Sequence, residues 1–285
     1  MTKRAGVIGH PLGHSISPAL YAAAFKAAGI DGAYDAWDTP PETLQGRVDA
    51  LRGDGFLGAN VTIPHKRSVL PMLDSLSEVA QKAGAVNTIV HRDGKLIGEN
   101  TDVVGFARSL REDAGFDAKG KRCVLLGAGG AARAVALALI AQSPALIAVY
   151  GRTPRNTDAM VVQLKPLTPS GTTITWAYPG DGSFITTMAE ADLVVNSTPV
   201  GVATTDTEGQ LPFEEKHIRA GSVVFDLVYN PPETPLLKAA KARGAKAVGG
   251  LGMLVYQAAE SFRLWTGQDA DLKAMLTAGR AALAR

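Results

Sequence analysis

Cysteine is all but missing: Cys123 stands alone in 285 residues, which excludes an internal disulfide and any multi-cysteine metal site. Charge of one sign is missing too. The formal net charge is +2, with both signs scattered and no basic arm or acidic tail, so a nucleic-acid partner has no electrostatic footprint. Long apolar runs are absent. The most apolar helical stretch, residues 134–141, falls far short of the about 20 residues a membrane span requires. The opening MTKRAGVIGHPLGHS has two early cations but no apolar stretch behind them, unlike a signal peptide, and a cytoplasmic protein is expected. Internal repeats and low-complexity tracts are lacking as well.

What is present is a globular balance, 46% hydrophobic and 20% charged over 285 residues, long enough for two domains. Strand-like and helix-like segments alternate almost from end to end, the pattern of α/β architecture with mostly parallel sheets. In the first part, 5–9, 34–37 and 59–63 read as strands. A helix opens at Ser17-Pro18, with Ser17 as N-cap, and stops at Gly29; 41–52 reads as another. Residues 87–102 read as strand, turn, strand about Asp93-Gly94, and helix follows Asp102. In the second part, strands fall at 122–127, 146–150, 173–176, 192–196, 222–226 and 246–248. The segment from about 254 to the end is helical. The domains expected are 1–103, completed by 254–285, and 104–253.

The first chemistry-bearing segment is RCVLLGAGGAARAVALALIA. An apolar strand enters Gly127-Ala128-Gly129-Gly130-Ala131-Ala132 and an Ala-rich helix leaves it. This is G-x-G-x-x-A in a strand–turn–helix context, a Rossmann-type dinucleotide site. Gly127 permits the tight turn, Gly129 lets backbone approach a pyrophosphate, and the helix N-terminus faces the anion. NAD-binding folds place Asp or Glu at the end of the next strand. Here the chain reads Val149-Tyr150-Gly151-Arg152-Thr153-Pro154-Arg155, with no carboxylate. Arg152 can stack on adenine and pair with a 2′-phosphate, with Arg155 as a second contact, so NADP is expected as cofactor.

Three further clusters set polar groups at strand ends: His14-Ser15-Ile16-Ser17-Pro18; Asn60-Val61-Thr62-Ile63-Pro64-His65-Lys66; and Gly84-Ala85-Val86-Asn87-Thr88 with Asn100-Thr101-Asp102. Together with GAGGAAR and Gly250-Leu251-Gly252-Met253-Leu254…Gln257, this order resembles the shikimate dehydrogenase family along nearly the whole chain. The resemblance implies reversible reduction of the 3-keto group of 3-dehydroshikimate to shikimate with NADPH, in a cleft between a substrate domain and a cofactor domain. It implies Lys66 and Asp102 as the catalytic pair, without settling which moves the proton. Ser15 and Ser17 correspond to the residues that hold the substrate carboxylate, and Thr62, Asn87 and Gln257 to those that bind its hydroxyls. Tyr229 matches a tyrosine near substrate and nicotinamide. Thr153, Asn196, Thr198 and Gly250 join Gly127–Ala131 and the arginines as expected cofactor contacts.

Two departures stand out. The family's N-T-D-G becomes Asn100-Thr101-Asp102-Val103, which leaves substrate preference open, and Pro154 with the shortened spacing to Arg155 departs from N-R-T-x-x-R. Three other readings of Lys66, Asp102 and Ser17 come from the residues alone: a solvated cation at the start of a helix, an N-cap after a strand, and the N-cap of the first helix. His10 and His14 are separated by Pro11 and Gly13, so they cannot form a helical metal pair, and no metal is expected. Cys123 reads as an inert buried hydrophobe. The partner expected is a small molecule, with no nucleic acid or membrane, and the protein is expected to be a monomer or homodimer. The rivals are a quinate, quinate/shikimate or aminoshikimate dehydrogenase, which the two serines disfavour, and a non-catalytic metabolite sensor, which Lys66 and Asp102 disfavour.

Overall fold

Short runs rich in Val, Ile and Ala form the strands, and glycine, proline or polar turns end them. The computed structural model describes residues 2–13, 15–178 and 181–284. The chain divides into two units, Met1–Gly105 with Leu254–Arg285, and Phe106–Met253.

The first unit begins β1 (Lys3–Gly9), α1 (Ser17–Ala27), β2 (Gly32–Asp38), α2 (Leu44–Ala50) and β3 (Gly58–Val61). It continues β4 (Ser75–Leu76), α3 (Glu78–Ala83), β5 (Thr88–Arg92) and β6 (Lys95–Glu99). Its sheet has the order β2-β1-β3-β5-β6-β4. One strand, β5, runs against the rest, pairing antiparallel with β3 and with β6. The β5–β6 turn takes Asp93 at φ 51° and Gly94 at φ 75°, both positive as a two-residue hairpin of this hand requires. Ile8, Val61, Val86, Ile89 and Leu96 form the core beneath α2 and α3.

Helix α4 (Asp102–Glu112) leads from this unit into the second, which contains β7 (Arg122–Leu126), α5 (Gly130–Ile140), β8 (Leu146–Tyr150) and α6 (Pro154–Leu164). There follow β9 (Thr173–Ala177), α7 (Ser183–Ala189), β10 (Leu193–Asn196), β11 (Val223–Asp226), α8 (Pro235–Ala242) and β12 (Lys246–Gly249). The order β12-β11-β10-β7-β8-β9 is parallel throughout. Strand order reverses between β7 and β10, the switch point where doubly wound sheets bind ligands beyond their carboxyl ends. The chain then returns through α9 (Leu251–Thr266) to α10 (Leu272–Leu283), which packs on α1.

The structure differs from the sequence expectations in local ways. The C-terminal helical segment is two helices, parted where Gly267 takes φ 74° and Asp271 caps α10 by accepting from Ala274 N. Residues 41–52 hold a 3-10 turn and then α2. Helix α3 and β4 were not anticipated. Ser17 does not cap α1: Ile16 holds that position and Ser17 is the first helical residue. Lys66 opens no helix either, because residues 63–69 are a run of turns.

Candidate functional site

The end of β3 and the turns after it carry Thr62 and Lys66, and the N-terminus of α4 carries Asp102. Lys66 Nζ donates to Asp102 Oδ2 at 2.5 Å, with side chains only 15% and 7% exposed. A lone ammonium at that depth would be costly, so the pair is mutually required. Asp102 is not the helix cap. It follows Thr101, whose carbonyl accepts from Gly105 N, and its second oxygen accepts from Asn87 Nδ2 at 2.9 Å. Both carboxylate oxygens thus have side-chain donors that fix the direction Lys66 is drawn.

Asn87, in the loop before β5, is the hub of the cluster. Its Oδ1 accepts from Thr101 N at 2.7 Å, a backbone donor that settles which way the amide faces. Its Nδ2 then meets Asp102 Oδ1, Thr101 Oγ1 and Gln257 Oε1 at 2.9, 2.9 and 3.1 Å. Every hydrogen of this amide has a protein acceptor, so a ligand hydroxyl must share one of them. Gln257, on α9, gives one N–H to Leu254 O at 2.8 Å and keeps the other.

Ser15 and Ser17 differ in how far their hydroxyls are engaged. Ser15 Oγ accepts from Ser17 N at 3.3 Å, while the Ser17 hydroxyl, like that of Thr62, makes no side-chain hydrogen bond among the described residues. His14 lies outside the described residues. His10 Nδ1 sits 3.1 Å from Asp38 Oδ1, which also accepts from Leu12 N and so ties this loop to the end of β2. Among the described residues no cluster of three or more His, Cys, Asp or Glu could hold a metal ion, and no helix is long and apolar enough to cross a membrane.

In the second unit, Gly127 takes φ 108°, and a Cβ there would lie 2.6 Å from Ser197 Oγ, so glycine is needed at this turn. Gly129 faces open space instead: a Cβ would meet nothing within 4 Å. It precedes α5 without a side-chain cap, and no acidic residue occupies the first turn. The first-turn amides are therefore open to an anion, with the positive end of the helix dipole behind them. Gly127 N donates to Tyr150 O at 2.8 Å, which sets the turn beside the end of β8. There Arg152 and Arg155 are exposed and meet no carboxylate among the described residues. Thr153 precedes α6 and uses no side-chain bond to cap it. These residues fit a dinucleotide carrying an extra phosphate.

Three of the cofactor contacts expected from sequence, Asn196, Thr198 and Gly250, also have partners within the fold itself. Asn196 is wholly buried: its amide donates to Asp226 Oδ1 and Val200 O, and its Oδ1 accepts from Thr198 N and Oγ1. Its side chain is engaged at both ends and holds the end of β10. Thr198 is drawn into the same cluster. Gly250 is explained by packing, since a Cβ would fall 2.1 Å from Leu227 O. Tyr229 lies in the loop after β11, its hydroxyl without a hydrogen bond among the described residues.

Sequence reasoning missed Asp226, fully buried at the end of β11 and held by Asn196, Val228 N and Thr234 Oγ1. Burial raises its carboxyl above the ordinary range, and those three donors oppose the rise. A polar residue at the end of a parallel strand was the signal available. Ser261 was passed over, and with Asn60 and Thr88, which the sequence clusters include without a role, it forms a buried polar layer beneath Asn87.

A glycine turn at a switch point in one unit, and a buried lysine–carboxylate pair in the other, divide their tasks as in a two-domain dinucleotide-dependent oxidoreductase. Comparison with known proteins narrows that class. A model of the shikimate dehydrogenase substrate-binding domain matches residues 7–89, and one of the shikimate 5′-dehydrogenase C-terminal domain matches 250–278. The shikimate dehydrogenase (NADP(+)) of Methanopyrus kandleri is 43% identical over 96% of this chain and 93% of its own length. A shikimate dehydrogenase solved with NADP+ superposes at TM-score 0.91 and 38% identity, covering 100% of this chain and 96% of that one. The Thermus thermophilus enzyme, solved with NADP(H) and shikimate, gives 0.86 and 39% over 99% of this chain and 100% of that one. The chain belongs to the shikimate dehydrogenase family.

Proposed function

We propose that this protein is an NADP-dependent shikimate dehydrogenase, interconverting shikimate and 3-dehydroshikimate, with residues 1–103 and 254–285 holding substrate and 104–253 holding cofactor. The observation that carries the reading is the Lys66–Asp102 bond, with Asp102 anchored from its other side by Asn87. NADP(H), when bound, supplies or accepts the hydride. The chain's own residues handle the proton and the orientation. Lys66 has three N–H donors; one is given to Asp102, which leaves others for the reacting oxygen. Asp102 keeps the ammonium aimed, and the proton moves through this pair as charge develops on that oxygen.

The Ser17 and Ser15 hydroxyls donate to the substrate carboxylate, with Ser17 the freer of the two. Thr62 and the remaining N–H of Gln257 hold ring hydroxyls, with Asn87 sharing one of its hydrogens. The open first turn of α5 and the Gly127–Ala131 segment receive the pyrophosphate. Arg152 takes the 2′-phosphate, with Arg155 and Thr153 beside it. Tyr229 lies with the nicotinamide end.

Initial rates with shikimate and with quinate, each offered NADP+ and NAD+, test this reading. Turnover chiefly with shikimate and NADP+ is expected. Equal turnover with quinate would overturn the serine assignment, and equal turnover with NAD+ the Arg152 assignment. Binding of NADP+ without turnover of either substrate would overturn the enzymatic reading itself.

A further inference from the structure

We propose that Ser261, one turn beyond Gln257 on α9, is a positioning residue that keeps the amides of Asn87 and Gln257 aimed at the reacting groups. The inference rests on the reading of Lys66 and Asp102 given above.

Ser261 is fully buried, and its hydroxyl has as polar neighbours Thr88 Oγ1 at 2.8 Å, Gln257 O at 3.0 Å, and Asn60 Nδ2 and Thr101 Oγ1 both at 3.1 Å, with the buried Tyr21 hydroxyl close by. Hydrogen accounting gives this cluster a direction. Tyr34 O–H donates to Asn60 Oδ1 at 2.7 Å, which turns the Asn60 N–H groups toward Ser261 Oγ, Thr88 Oγ1 and Asn87 O. Ser261 therefore accepts from Asn60, and its single hydrogen goes back to Gln257 O.

Thr88 Oγ1 lies nearer to Ser261 Oγ, at 2.8 Å, than to Asn87 Oδ1, at 3.1 Å, so with the Ser261 hydrogen on Gln257 O the Thr88 hydrogen goes to Ser261. Thr101 Oγ1 accepts from Asn87 Nδ2 at 2.9 Å, so its own hydrogen needs another acceptor. The nearest is Ser261 Oγ at 3.1 Å, ahead of Thr88 Oγ1 and Asn87 Oδ1, both at 3.2 Å, and Gln257 Oε1 at 3.4 Å. Without Ser261 Oγ, the Thr88 hydrogen turns to Asn87 Oδ1, on one of the two amides whose orientation sets the site, and Thr101 loses its nearest acceptor. Ser261 thus acts on Asp102 through Thr101 and Asn87, and on Gln257 through the shared helix turn. In a layer this deeply buried, each unmet partner is felt.

The test compares Ser261→Ala and Ser261→Thr with the parent in kcat, in KM for shikimate and NADP+ separately, and in melting temperature. Alanine keeps a strong helix former at a helical position, so folding is not at risk from propensity. The expected result is a rise in KM for shikimate of about fivefold in Ser261→Ala, the size of one net hydrogen bond. KM for NADP+ should stay near the parent value, and the hydroxyl of Ser261→Thr should restore much of the loss. Parent-like KM for shikimate in Ser261→Ala would overturn the proposal. So would a parallel rise in both KM values with a lowered melting temperature, which marks a structural residue only. Asp102→Asn, run alongside, separates the two claims. If it retains parent turnover, the underlying reading fails; if it is inactive while Ser261→Ala is parent-like, only this inference fails.

Discussion

In the proposed function the two units solve the same problem, holding an anionic small molecule, by different physical means. The second unit uses backbone and exposed cations: open amides at the start of α5, a glycine turn fixed by sterics, and arginines that meet no carboxylate among the described residues. The first uses buried side chains that already bond one another, from Tyr34 through Asn60 and Asn87 to Asp102 and Lys66. An anion cradle made of backbone tolerates exchange of its side chains. A preformed side-chain cluster does not, because removing one member leaves buried partners unmet.

This contrast orders the expected effects of substitution. Asp102→Asn should be the most damaging, lowering kcat about 100- to 10,000-fold while NADP+ still binds; steady-state kinetics with a separate cofactor titration checks both halves. Arg152→Ala should raise KM for NADP+ about 10- to 100-fold, the range for a lost charge-assisted bond, and leave KM for NAD+ little changed. Equal effects on both cofactors would break the assignment of the phosphate contact.

Ser17→Ala should raise KM for shikimate about tenfold and exceed the effect of Ser15→Ala, because only Ser15 Oγ is engaged by a backbone amide. A pair of glycine variants sharpens the backbone side of the comparison. Gly127→Ala, at φ 108° and against Ser197, should cost about 1–3 kcal/mol of stability in urea unfolding. Gly129→Ala, facing open space, should weaken NADP+ binding without that loss.

The fold was legible where pattern and chemistry are local. The strands of the second unit, the glycine turn and the Asp93-Gly94 hairpin announce themselves through runs of neighbouring residues. Helix α3 carried the same kind of local signal, with Ser77 accepting from Ala80 N at one end and Gly84 at φ 61° at the other. Six residues are too few for a helical period to stand out. Ser17 shows the limit of capping rules, since a Ser-Pro pair starts a helix equally well with Ser in its first turn.

The site was legible only where a motif marks it. Lys66 and Asp102 stand 36 positions apart and meet because β3 and α4 bring them to the same side. Ser261 lies 173 positions from Thr88, and no local spacing relates the two. Its one sequence signal was the four-residue interval from Gln257, which puts both on one helix face. Asn196 shows that a polar residue at a strand end can also be engaged by its own fold.

The most direct test of this division of labour is Lys66→Ala, assayed for shikimate-dependent NADP+ reduction and, in the same preparation, for NADPH binding by fluorescence titration. The account predicts a rate lowered at least about 100-fold with cofactor affinity close to that of the parent. A rate near the parent's would remove Lys66 from the chemistry. Loss of NADPH binding along with the rate would contradict the separation of the two sites.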